Sequence, residues 1–462
     1  MSNPENPVII VGSGPCGLLA AKLLLDSNHK VILLDIGANV FETSEDKKSS
    51  RLKSIFGSIH SYDWNNTLGF NSLSKDIEVH PSKGLFGYST VWGATWDEYE
   101  SLKTSEWRDA YKQAEKYIAF PASLSVNQDN FCSCFEFNFK NNLNKNSLVF
   151  STKLALNSDK CVSCGACQTG CTYNAIWTAK ELFMECTQSK MFKYVSNFTV
   201  DSFSESGKFI EITSSGGVKI TGSHLFLAAG PLSTARILLK SNIVKKITIK
   251  DTQICYMPLI SVAKLTKHVG SFALSTHSVR LKSGLRPIAY LQFYSHLNES
   301  LVRITSSYSK SLGRILHLIL RVLNSRIRLC LVYLPSSISP RIVLQLSEND
   351  SDLCHVSREG NFSFYKKILS SIQILPMLLR FKLLPVLIAS KWGKTGSSYH
   401  LGSSTDVDIS EEGFLANKSR VQILGSLALK EIEVGPITAT LLAQTVLAVE
   451  SFLGKSVLAD TD

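Results

Sequence analysis

Several absences narrow the field. The 462 residues contain no apolar run of the roughly 18 residues that a bilayer-spanning helix needs, so an integral helical membrane protein is not expected. No basic segment precedes an apolar one at the N-terminus, and a glycine turn opens at Gly12, where the apolar stretch of a secretory signal would lie. A cytoplasmic location is therefore expected. Cysteine is too scarce for a disulfide scaffold, at 11 in this length. There is no internal repeat and no long low-complexity linker; the Lys/Ser-rich stretch from Ser44 to Ser54 reads as an exposed loop. Aromatic–basic interleaving is missing too, so nucleic acid is not an expected partner even though 49 Lys+Arg against 38 Asp+Glu leave a net charge of +11. What is present is apolar mass: 44% hydrophobic and 19% charged residues exclude general disorder and supply a large core. At about 150 residues per domain the length suits two or three domains.

The first motif follows at once. Val8-Ile9-Ile10-Val11 reads as a short buried strand that runs into Gly12-Ser13-Gly14-Pro15-Cys16-Gly17 and then a helical pattern. A second strand, Val31 to Leu34, ends on Asp35, 18 residues after Gly17. Gly12 permits the tight turn, Gly14 lets a pyrophosphate approach the backbone, and Gly17 lets helix and strand pack closely. Free N–H groups at the helix N-terminus suit phosphate, and Asp35 is placed to accept from a ribose hydroxyl. Strand, glycines, helix, strand and acid in this order predict dinucleotide binding; the turn alone does not separate FAD from NAD.

The cysteines that do occur are clustered: Cys161, Cys164, Cys167 and Cys171 fall within 11 residues in C-x2-C-x2-C-x3-C spacing, with Thr172 where ferredoxin loops carry proline. That spacing favours a [4Fe–4S] cluster over zinc, which more often uses two separated pairs. Unligated thiols are the remaining alternative. In two-cluster ferredoxins the last cysteine of such a run serves the other cluster, so either Cys171 closes this one or a remote thiol does; Cys132, Cys134 and Cys186 are the nearest, each of which reads more simply as a small buried residue.

Three further segments carry a resemblance. They are Gly84-Leu85-Phe86-Gly87-Tyr88-Ser89-Thr90-Val91-Trp92-Gly93, the strand-to-helix turn Leu227-Ala228-Ala229-Gly230-Pro231, and a C-terminal set of Tyr399-His400-Leu401-Gly402, Gly425-Ser426 and Val434-Gly435-Pro436-Ile437. With the glycine turn, their order resembles the glucose–methanol–choline (GMC) family of flavin oxidoreductases and its sugar dehydrogenase relatives, over roughly 1–100, 195–255 and 395–455. The resemblance implies an α/β chain, α+β overall: a discontinuous Rossmann-like FAD domain (1–110, 190–255, 395–462), a cysteine-bearing insertion (111–189) and a mainly antiparallel substrate domain (256–394). It also implies FAD on Gly12, Gly14, Pro15, Gly17, Asp35, Ala229 and Gly230. Ser89, Thr90, Trp92 and Gly93 would line the isoalloxazine, and Gly425, Ser426, Pro436 and Ile437 would close over the rest of the flavin. Val91 stands where relatives with a linked flavin have histidine, so the FAD is expected to be non-covalent.

His400 fits the family's histidine before Leu-Gly and would take the hydroxyl proton while hydride leaves. The family's second catalytic residue, His or Asn before the C-terminal proline, is Gly435 here. Either His400 works alone or a residue of 256–395 substitutes. The expected activity is oxidation of a secondary alcohol, on a sugar or glycoconjugate by family analogy, with electrons leaving through the cluster to an external acceptor as in a dehydrogenase. Two other readings stay open: a membrane-surface flavoprotein passing electrons to quinone, and a non-catalytic flavoprotein with a structural zinc loop.

The middle of the chain is where the first of these would find its docking face. No acid occurs from Ser300 to Ser347, while Arg314, His317, Arg321 and Arg328 recur at helical spacing on an apolar body. Tyr365 to Lys391 is similar, Leu- and Ile-rich and broken by Pro376 and Pro385. These stretches read either as helices covering the substrate domain or as peripheral contact with the inner membrane surface through 311–391. Ile288 to Tyr294 and Arg341 to Leu346 read as strands.

Overall fold

A computed structural model of the chain describes residues 6–37, 69–82, 84–90, 92–118, 147–164, 167, 171, 173–262, 273–275, 277–283, 286–294 and 326–459. The stretches 44–54 and 301–325, and Cys132 and Cys134, lie outside the described residues.

Five short strands form a parallel sheet in the spatial order Phe192–Val195, Val31–Leu34, Val8–Val11, His224–Leu227, Val421–Ile423. This is the strand order of doubly wound dinucleotide folds. Val8–Val11 and His224–Leu227 are buried at every position, which is why they read as continuous apolar runs: helices pack on one face, and a small antiparallel meander packs on the other. Helix Pro15–Asp26 links the first two strands, and helix Thr438–Ala459 packs against it and against helix Ser105–Glu115, where the Tyr111 hydroxyl and Thr440 Oγ1 lie 2.8 Å apart. A meander of Val200–Ser206, Phe209–Ser214 and Lys219–Gly222 fills the crossover before the fourth strand.

The second layer is mainly antiparallel, with one parallel pair, Cys354–Glu359 on Phe70–Ser72. One sheet runs Leu383–Pro385, Ile254–Ser261, Ile327–Tyr333, Arg286–Tyr294, His277–Ser283, Ser147–Ser151, with Lys391–Trp392 also pairing Ile254–Ser261. A smaller sheet joins Gly402–Ser404, Ile247–Lys250, Arg341–Leu346, Cys354–Glu359 and Phe70–Ser72. The mixed α/β architecture with a second, mainly antiparallel part is as expected. In the larger sheet the two-residue side-chain period divides labour. Ala289, Leu291 and Phe293 join Ile374, Met377, Leu378 and Phe381 in one apolar cluster, so this face packs on helix Phe364–Arg380. Tyr290, Gln292 and Tyr294 face the other way, toward the dinucleotide-type layer.

Two sequence expectations need correction. The helical stripe through Arg314 fails at its last member: Arg328 lies in a strand paired on both sides, where β-branched and aromatic neighbours (Ile327, Val332, Tyr333) outweigh the helical spacing of the cations. Pro376 does not break its helix but sits inside Phe364–Arg380, on the exposed side. There the missing N–H and the ring displace one backbone bond on a face that water can satisfy.

Candidate active site

Three glycine turns stand side by side at the carboxyl ends of adjacent parallel strands, the place where open α/β sheets bind ligands. Gly12 follows the first strand with φ +106°. A Cβ there would meet Ala228 O at 2.5 Å, and one on Gly17 would meet Gly12 O at 2.0 Å, so both glycines are fixed by close backbone approach. Gly230, with φ +78°, caps helix Pro231–Lys240, and Gly425, with φ +85°, caps the turn Ser426–Ala428. Gly14 caps helix Pro15–Asp26, with Pro15 in its first turn, and no side chain caps any of these three ends. A Cβ on Gly14 or Gly230 would meet nothing within 4 Å. Uncapped helix N-termini behind side-chain-free space can receive phosphate oxygens.

Asp35 is buried at the tip of the second strand. Its Oδ2 accepts from Ser13 N and its Oδ1 from Gly37 N, each at 2.6 Å, while burial raises its carboxyl pKa. It therefore braces the turn; a ribose hydroxyl would have to use the lone pairs these bonds leave. The loop 84–93 lies over the same turn. Phe86 N donates to Ser13 Oγ at 3.2 Å, and a Cβ on Gly87 would come to 3.3 Å from Gly14 Cα. Ser89 Oγ donates to Phe86 O and accepts from Ala179 N, and Thr90 Oγ1 donates to Gly87 O. Trp92 Nε1 donates to Trp177 O at 2.9 Å, with the two rings edge to face. The polar groups of Ser89, Thr90 and Trp92 are thus occupied within the protein.

His400 arrives from the other layer. It lies between Tyr399, a non-glycine residue at φ +60°, and the strand Gly402–Ser404, where a Cβ on Gly402 would come to 2.3 Å from Ser426 O. The Tyr399 ring meets Tyr88 edge to face at 5.1 Å between centroids, which joins the His400 segment to the loop 84–93. The imidazole stacks on Tyr333, 5.0 Å between centroids and 4° from parallel. Its Nδ1 is buried without a hydrogen-bond partner, and burial lowers its pKa to about 4, so the ring is neutral at neutral pH.

The loop is held by Asp251. Its Oδ2 accepts from Gly396 N at 2.7 Å and its Oδ1 from Ser398 Oγ at 2.6 Å, while Ser398 Oγ accepts from His400 N at 3.0 Å. Burial raises the Asp251 pKa to about 7. Between an unfolded value near 4 and this folded value the native state holds the extra proton, so stability falls as pH rises through that window. His400 and His80, both lowered to about 4 by burial, act in the opposite sense. Comparison with Asp251→Asn isolates the carboxyl: this variant is expected to gain up to about 4 kcal/mol over the parent between pH 4 and pH 7. Parallel thermal-unfolding profiles for the two proteins would refute the assignment.

On the face of the larger sheet that carries Tyr333, Tyr294 Oη and Tyr333 Oη each donate to Gln292 Oε1 at 3.1 Å, and Gln292 Nε2 donates to Thr95 Oγ1 at 2.9 Å. The ring stacked on His400 is thereby tied to the segment that follows Gly93. Gly435 closes this wall. Its φ is +114°, and a Cβ would meet the Tyr290 ring at 2.9 Å. The aromatic ring fills the space where any side chain at position 435 would begin. Pro436 and Ile437 follow directly and lead into helix Thr438–Ala459, with Ile437 in the same apolar cluster as Phe86. Tyr290, Gln292, Tyr294, Tyr333, Asp251 and Ser398 were missed by sequence reasoning. The one available signal was the alternation Tyr290-Ala289, Gln292-Leu291, Tyr294-Phe293, which marks a strand with a polar aromatic face.

The cysteines are less well assembled. Burial raises Cys167 to about 11, with the nearby Cys161, Cys164 and Cys171 adding to it. The four thiols are neighbours. Among the described residues, however, no three His, Cys, Asp or Glu side chains are arranged to hold one metal ion. Cys186 is buried in the core.

No protein-family model and no curated protein matches this sequence. Among solved structures the chain is similar to the crystal structure of pyridoxine 4-oxidase from Mesorbium loti, with a TM-score of 0.63 and 11% identity over 97% of this chain and 99% of that one. The likeness extends over both layers, so the chain shares that oxidase's overall fold.

Proposed function

We propose that the protein is a GMC-type flavoenzyme that binds FAD non-covalently and oxidises a CH–OH group. The observation that carries this reading is that the segment bearing His400 meets the loop 84–93 and the Gly425 turn: Tyr399 touches Tyr88, and Gly402 backs onto Ser426. The fold shared with pyridoxine 4-oxidase supports it. The residues present fit FAD. Gly12, Gly14 and Gly17 with Gly230 would hold the ADP half, and the backbone of 87–93 with Gly425, Ser426, Pro436 and Ile437 would hold the flavin.

When bound, FAD supplies the hydride acceptor. The chain's own residues do the rest. His400 is neutral and so can receive the substrate hydroxyl proton. Its Nδ1 is walled in, which leaves Nε2 as the accepting atom. A ring with its pKa near 4 is a weak base, so proton uptake is favourable only as the carbinol hydrogen departs. Tyr333 and the Asp251–Ser398 anchor fix the imidazole plane, and Gly435 adds no second base. His400 works alone in this reading.

A small alcohol, with sugars and glycoconjugates as the leading class, is the proposed substrate. No step is assigned to the cysteine loop, whose thiols would have to draw together before holding a cluster. One preparation tests these points. Anaerobically purified protein is expected to show a flavin spectrum that bleaches with one member of a panel of alcohols and sugars. A protein that neither contains nor takes up FAD overturns the proposal. Iron with labile sulfide in the same sample assigns the dehydrogenase form with a cluster outlet, whereas zinc makes the loop structural.

A further inference from the structure

We propose that helix Phe364–Arg380 and the turn after it dock the protein on an anionic lipid bilayer. The inference is independent of the flavin assignment. The helix is apolar on two opposite sides. Ile374, Met377, Leu378 and Phe381 are buried against the seven-stranded sheet, while Ile368, Leu369, Ile372 and Leu379 form an exposed stripe at helical spacing. A helix apolar on both faces wants a second apolar medium. The chain then passes through Leu383–Pro385 to Leu387 and Ile388, both exposed, Ile388 at 98%. Leu384 is exposed as well and pairs with Ile260, so the apolar surface continues onto the sheet edge.

Charge selects the occupant. From Gly360 to Thr405 there is no Asp or Glu, and the cations Lys366, Lys367, Arg380, Lys382, Lys391 and Lys394 flank the apolar residues. Lys382 and Lys391 are exposed and make no ion pair among the described residues. A second copy of the chain would set cations against cations. An isoleucine that stands almost wholly clear of its neighbours offers a partner protein little shaped surface, but it suits a fluid phase that closes around it. An acyl boundary reached through an anionic headgroup layer meets both requirements.

The test is flotation of the full-length protein with vesicles of phosphatidylcholine alone and of phosphatidylcholine mixed with phosphatidylglycerol. The expected result is flotation with the mixed vesicles only, lost as salt is raised. Lys391→Gln should lower the partition coefficient about fivefold. Ile388→Asp should lower it about tenfold or more, with an unchanged unfolding temperature because the side chain supports nothing. Protein that stays at the bottom with both vesicles, floats equally with both, or floats undiminished as Ile388→Asp overturns the proposal. So does a solution dimer that Ile388→Asp dissociates, since a second copy would then cover this surface.

Discussion

Replacing His400 with alanine is expected to leave flavin content unchanged while slowing alcohol-driven bleaching by about 10²- to 10⁴-fold, the usual contribution of a positioned base. FAD retention should survive because the imidazole stacks on Tyr333, while the backbone N–H that anchors this position to Ser398 is kept in the alanine variant. The parent's pH profile provides an independent check. Burial holds His400 near 4, so its base form persists well below the pH at which an ordinary histidine would charge. The acid limb of kcat/KM should therefore fall near pH 4. A limb near pH 6.5, or unchanged bleaching in the alanine variant, refutes the role.

The second large effect is expected at Gly17. Its Cβ would lie 2.0 Å from Gly12 O, a backbone atom that cannot swing aside, so Gly17→Ala must push helix Pro15–Asp26 off the first strand. A loss of about 3 kcal/mol, at the upper end for overpacking, should accompany loss of FAD. Gly14→Ala is the informative contrast. Nothing lies within 4 Å of the added methyl, so the apoprotein should keep its unfolding temperature while FAD binds more weakly. If both variants lose stability equally, the space in front of Gly14 is not a ligand cradle.

The dinucleotide-type layer was legible because its chemistry is local. The run from Val8 to Asp35 holds a strand, turn, helix and strand in a single stretch; Gly12 and Gly17 answer to backbone contacts within or beside it, and Gly14 faces open space. His400 was legible only through its family neighbours Leu401 and Gly402. The tyrosine–glutamine wall beside His400 was not legible at all. Gln292 matters because two strands place Tyr333 and Tyr294 within reach of one amide oxygen, and no spacing along the chain encodes that meeting. Arg328 shows the converse error. Cations at three- and four-residue intervals satisfied a helical template, but strand pairing on both sides decided the conformation. The cysteine spacing gave a clear donor set without showing whether the loop closes around anything.

Tyr290 beneath Gly435 carries a consequence for ancestry and redesign. A single exchange of Gly435 for histidine or asparagine would strain a left-handed backbone and collide with a fully buried ring, and trimming Tyr290 alone would leave a void beside Tyr333. The two positions are locked together, so their effects should be strongly non-additive. A polar side chain at position 435 is reachable from this sequence only by a concerted step. Selection acting on one mutation at a time would hold glycine at 435 opposite tyrosine at 290.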